Sequence, residues 1–188
     1  MQISKAGVIG SLFLSILANA SAREQQTVFM TTFEEVCLTG NGKLDNIRDW
    51  AERHHMKEVN GADARKVYTG SSEGGHAWWM QVDGTFFVIA SRVPSSACAV
   101  FTSAADPAQV LDYVHQLPRT LSGKWPNVMA IPDKDESGSF GLRRGRAILF
   151  STPSGDRTLL ITSIFNDRPG GPYQATLQAS RTSGGQQQ

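Results

Sequence analysis

The sequence predicts an α+β fold: an antiparallel sheet packed with two N-terminal helices and one central helix, ending in a C-terminal β-meander. Three observations predict it. Apolar residues recur at helical spacing in the first third and again after Asp106. An Asp83-Gly84 pair sits between two apolar runs, a strong hairpin signal because both residues tolerate positive φ. Tight-turn residues separate the runs of the last third, which favours antiparallel pairing over βαβ crossovers.

Phe29, Phe33, Val36 and Cys37 share one helical face, and Thr39-Gly-Asn-Gly42 breaks that helix. Leu44, Ile47, Trp50 and Ala51 mark a second helix running to about Met56, and Asn60-Gly61-Ala62-Asp63 closes the segment. Residues 66–69 read as a short strand and 71–75 as a loop. Residues 76–82 and 85–91 are the hairpin arms. A turn at Pro94-Ser-Ser96 leads into a strand over 98–102.

Asp106 is the expected N-cap of the central helix, with Pro107 at N1 and Gln109 at N3 as in a capping box. Val110, Leu111, Val114 and Leu117 form its stripe, and Pro118 is the stop signal. Residues 128–131 add a strand. Residues 140–150, 158–165 and 173–179 form the meander, with corners at 153–155 and 169–172. The polar tail, 183–188, is expected to be disordered.

The hairpin register carries a sharper expectation. A two-residue turn puts Trp78, Met80, Val82, Thr85, Phe87 and Ile89 on one face, and Trp79, Gln81, Phe86 and Val88 on the other. Both faces are largely apolar, unlike a sheet with one wet face. The first is a natural core. The second, with Trp79, Phe86 and Val88, needs either a covering helix or a ligand or partner. On the strand 140–150, Arg144 and Arg146 fall in phase with Phe140, Leu142, Ile148 and Phe150. Either the strand kinks at Gly145 and both point outward, or the two guanidinium groups form an anion-binding site.

The N-terminus reads as a secretory signal: Lys5, an apolar stretch over 6–17, and small residues ending at Ala22, the expected cleavage point. The stretch is too short to span a bilayer, and no later segment could, so no membrane span is expected after cleavage. Residues 23–182 are then expected to form a single domain outside the cytosol, periplasmic or secreted. The chain carries 18 basic and 17 acidic residues. Removing Lys5 leaves 17 against 17, a neutral domain without the footprint of a nucleic-acid binder.

Cys37 and Cys98 are the only cysteines. In an oxidising compartment they invite pairing, against free buried thiols or one reactive thiol. Their neighbours Val36, Leu38, Ala97 and Ala99 offer no charge to stabilise a thiolate, which favours a structural disulfide.

Chemistry is sparse. No zinc motif occurs. Asp133-Lys-Asp-Glu136 lacks the spacing of a calcium loop and reads as a solvated turn. Asp45 and Asp49, among Lys43, Arg48 and Arg53, read as a charged helix face. Ser71, Ser72, Glu73 and His76 lie close in sequence and are the nearest thing to a reactive loop.

The signal segment, Phe33-Glu-Glu-Val-Cys37, Trp78-Trp79, Ser96-Ala-Cys98-Ala-Val100 and the helix after Asp106 resemble a group of small exported proteobacterial proteins of unknown function. The resemblance implies export and paired cysteines, and supplies no activity, cofactor or catalytic residue.

The expected function is therefore a non-enzymatic envelope protein that binds a partner protein or a small apolar or anionic ligand, with no cofactor. The alternative is a small periplasmic hydrolase using His76 with a serine or Glu73 from the preceding loop.

Overall fold

The computed structural model describes residues 24–70, 74–92, 97–138, 141–166 and 173–183, with 133–138, 141–144 and 183 described by backbone alone. The signal segment with Ala22, the loop residues Ser71, Ser72 and Glu73, the turns at 94–96 and 169–172, Phe140 and the tail 184–188 lie outside the described residues.

Eight strands form one antiparallel sheet in the order β1-β2-β3-β4-β8-β7-β6-β5. Strands β1 (Lys57–Glu58), β2 (His76–Val82), β3 (Thr85–Arg92) and β4 (Ala97–Thr102) are a first meander. Strands β5 (Asn127–Gly138), β6 (Gly141–Ser151), β7 (Arg157–Asn166) and β8 (Ala175–Ser183) are a second. They join along β4 and β8, where Cys98 pairs with Ala179 and Val100 with Leu177. The fold class is the α+β arrangement that the sequence predicts.

Helix α1 covers residues 24–32 and continues as a π-helical segment over Phe33–Thr39. It stops at Gly40, whose N–H donates to Glu35 O at 2.9 Å. Asn41 and Gly42 then adopt positive φ, as the predicted break requires. Helix α2 (Leu44–Arg53) buries Ile47, Trp50 and Ala51. It ends three residues before Met56, at a signal that carries no glycine. His55 is left-handed and donates to Glu52 O, and Met56 N–H reaches Ala51 O at 2.9 Å. That is a Schellman closure, with Met56 as its buried apolar contact.

Three further expectations need correction. Residues 66–69 belong to helix α3 (Ala62–Thr69), not a strand. Val67 and Tyr68 favour strands in isolation, but Gly70 caps the segment in the left-handed region and Tyr68 packs edge-on against Phe101. The helix α4 (Pro107–Leu121) runs through Pro118 for one more turn. Proline removes the bond to the Val114 carbonyl, yet Leu117 stays buried and Leu121 packs against the core. Residues 133–136 lie in β5 rather than in a turn. A register shift between Ile131 and Lys134 bends the strand there, and Asp135 and Glu136 face Arg144 and Arg143 across the ladder.

The α4 cap differs in detail. Asp106 Oδ1 accepts from Ala108 N–H at 2.9 Å, but Gln109 donates to the Asp106 carboxylate at 3.0 Å instead of reaching the backbone. The Asp106 N–H is taken by Gln26 Oε1 of α1 at 3.1 Å, so one cap ties two helices.

Helices α1, α2 and α4 cover one sheet face, burying Phe29, Phe33, Ile47, Val110 and Val114 against Phe87, Ile89, Phe150, Ile161 and Leu177. A smaller core lies on the other face of the first meander, where Tyr68 and Val59 pack on Ala77, Val88, Ala90, Phe101 and Tyr173. Strand β7 alternates between buried and half-buried residues along most of its length. Cys37 and Cys98 form a disulfide with a Cα–Cα distance of 5.3 Å across a sequence separation of 61. Mass spectrometry of the non-reduced protein should show both cysteines in one crosslinked peptide. Replacing both with alanine should lower the unfolding free energy in a urea titration by about 4 kcal/mol on the chain-entropy account.

Tyr113 on α4 is half-buried, and that burial, reinforced by the Glu34 carboxylate, raises its pKa well above 10.0. The unfolded chain loses this proton near pH 10 while the folded chain keeps it. Stability is therefore fully present below that pH and falls above it. Urea midpoints should decline between about pH 9 and 11, and Tyr113→Phe should flatten the decline.

Candidate functional site

The three hairpin residues named from sequence stay neighbours, Trp79 pairing with Val88, but differ in burial. Val88 enters the smaller core, 5% exposed. Trp79 is half-buried at its rim, 5.8 Å from the Phe86 ring, with Lys57 Nζ 5.4 Å from the Trp79 ring centroid. Phe86 is 44% exposed. The cover over this face is α3, which sequence reading missed. The disulfide ties α1 to the opposite face, where Cys98 lies with Ile89 and Val100.

Strand β6 keeps its register with β7 straight through Gly145, pairing Gly145 with Ile164 and Arg146 with Ser163, while the register shift of β5 lies opposite Arg146. Arg146 is half-buried, in phase with buried Ile148 and Phe150. For Arg144 only the backbone is described, opposite Phe165. His76 Nδ1 lies 3.1 Å from Glu58 Oε1, an exposed pair made by the short strand β1. Among the described residues no group of three His, Cys, Asp or Glu side chains is placed to hold a metal.

Side chains converge instead at the far end of the seam between the meanders. Lys43 comes from the turn before α2, Lys124 from the turn after α4, Arg157 from the start of β7 and Arg181 from β8. All four line one cavity of about 440 Å³, joined by Trp125 and Thr158, and no carboxylate among the described residues lines it. Four cations, with only Asp156 beside Arg157 to offset them among the described residues, create a local positive potential that a net charge of +1 conceals.

Arg181 organises this end. Its Nη2 donates to Cys37 O at 2.8 Å and Leu38 O at 3.0 Å, two carbonyls left over where the π-helical segment stops. A cation is also favoured there by the negative end of the helix dipole. Its Nη1 is buried without a hydrogen-bond partner among the described residues. Burial lowers the guanidinium pKa below its usual value, and the group stays charged at neutral pH. Sequence reading missed this residue because the predicted strand stopped at Ala179. The signal was present: Ala175, Leu177 and Ala179 are buried, and Arg181 continues their period-two phase.

Comparison with protein families, with characterised proteins and with solved structures finds no match.

Gly42 forms the cavity wall beside the disulfide, with φ +63°. A methyl group there would lie 2.9 Å from Cys98 Cβ and 3.5 Å from Arg181 Nη1. Gly42→Ala should therefore cost about 2 kcal/mol in thermal unfolding. Gly155→Ala, also at positive φ but in open space, should cost only about 1 kcal/mol.

Proposed function

We propose that this chain is an exported, non-enzymatic binding domain of the cell envelope, periplasmic or secreted, whose ligand is a small anion held at the cationic cavity. One observation carries the reading: Lys43, Lys124, Arg157 and Arg181 line a single cavity that no carboxylate among the described residues lines. Guanidinium and ammonium donors make charge-assisted hydrogen bonds with oxyanions, each contributing about 1.5–3 kcal/mol. The hydroxyl of Thr158 adds a neutral donor at the wall. The cavity lies within the volume range of small-molecule sites. The joined cysteines accord with an oxidising compartment.

Arg157 and Lys124 are exposed and suit substitution, whereas Arg181 also holds helix carbonyls. Isothermal titration with sodium phosphate and with sodium sulfate should give saturable binding. Lys124→Ala and Arg157→Ala should each weaken it by about tenfold. Raising sodium chloride from about 0.05 to 0.5 M should weaken it further through screening. Equal heats for wild type and the double variant would refute the reading.

A further inference from the structure

We propose that the ligand is an amphiphilic oxyanion, its charged head in the cationic cavity and its apolar tail in a chamber beside it. This inference rests on the anion-binding reading above. The second chamber, about 270 Å³, has Leu38, Leu121 and Leu159 in its wall. It shares Lys124, Trp125 and Arg181 with the cationic cavity, so the two spaces adjoin at those three side chains. An inorganic anion would use only the first space. A molecule with an acyl, alkyl or aryl group would use both, because burying methylenes against leucine and tryptophan is favourable while the head keeps its charge partners.

The two ends of the site differ in kind. Leu159 and Trp125 are buried, and Leu38 and Leu121 are half-buried at the chamber's margin. Arg181 stands between the ends. Its Nη2 is committed to the Cys37 and Leu38 carbonyls, which fixes the guanidinium plane. Its Nη1 makes no protein hydrogen bond among the described residues, and a buried donor gains most from a ligand oxygen. The head group is a phosphate or carboxylate and the tail a short apolar chain. The ligand is a free monomeric molecule rather than a bilayer, because the chamber is a small recess that Lys124 and Arg181 also line.

The test compares three probes on the full disulfide-bonded chain by isothermal titration: inorganic phosphate, octyl phosphate below its micellar concentration, and vesicles of phosphatidylglycerol. Octyl phosphate should bind at least about tenfold tighter than inorganic phosphate. Leu121→Asn should remove that gain while leaving phosphate affinity unchanged, and Leu38→Asn provides a second route if the first variant unfolds. Equal affinity for both phosphates would sink the tail assignment and leave the anion reading standing. No binding of either would sink both. A gain that survives both asparagine variants, or binding to vesicles alone, would overturn the placement.

Discussion

The end of the π-helical segment is gripped from both sides of the seam that joins the two meanders. Cys37 is bonded covalently to Cys98 on β4, and its carbonyl accepts from Arg181 on β8. Strands β4 and β8 are neighbours, with Ala97 opposite Ser180. A single turn of helix therefore bridges two strands that come from opposite halves of the chain. Much else follows from this grip. Gly42 must lack a side chain because Cys98 lies under it. Lys43 stands at the cavity because the turn that carries it is pinned there, and Arg181 is half-buried because its hydrogen bonds lie beneath the helix end.

The sheet is unequal in its two faces, and the chain distributes its helices accordingly. Three helices cover the long face that both meanders share, while α3 covers only the first meander on the reverse. The second meander leaves its reverse face half-exposed, as the alternation along β7 records. The doubled apolar pattern of the β2–β3 hairpin is thus mainly a packing requirement. Phe86, exposed beside Trp79, is the part of that pattern left over.

The features readable in the sequence were those written in local chemistry. Asp83-Gly84 fixed every pair of the hairpin, because a two-residue turn permits one register. Asp106-Pro107 marked the start of α4, because both residues act within one turn. The features that were not readable depend on contacts distant in sequence. Helix α3 contains Val67 and Tyr68 and is held by Phe101, more than thirty residues away. The end of α2 uses His55 where glycine is the usual sign. The cavity draws on four segments, and no short motif could bring Lys43, Lys124, Arg157 and Arg181 together. Only Arg181 left a local trace, as a charge on the inward phase of a strand.

The placement of β8 has a bearing on how the chain assembles. The last strand made is central in the sheet, and Val100 must wait for Leu177 before β4 gains its second neighbour. Until then each meander has a bare inner border. Such distant pairing closes slowly and exposes backbone donors meanwhile. The crosslink is differently timed, since both sulfurs lie in the first ninety-eight residues. Oxidation can thus fasten α1 to the early meander before the later one arrives, and trimming the C-terminus back into β8 would split the sheet in two rather than shorten it.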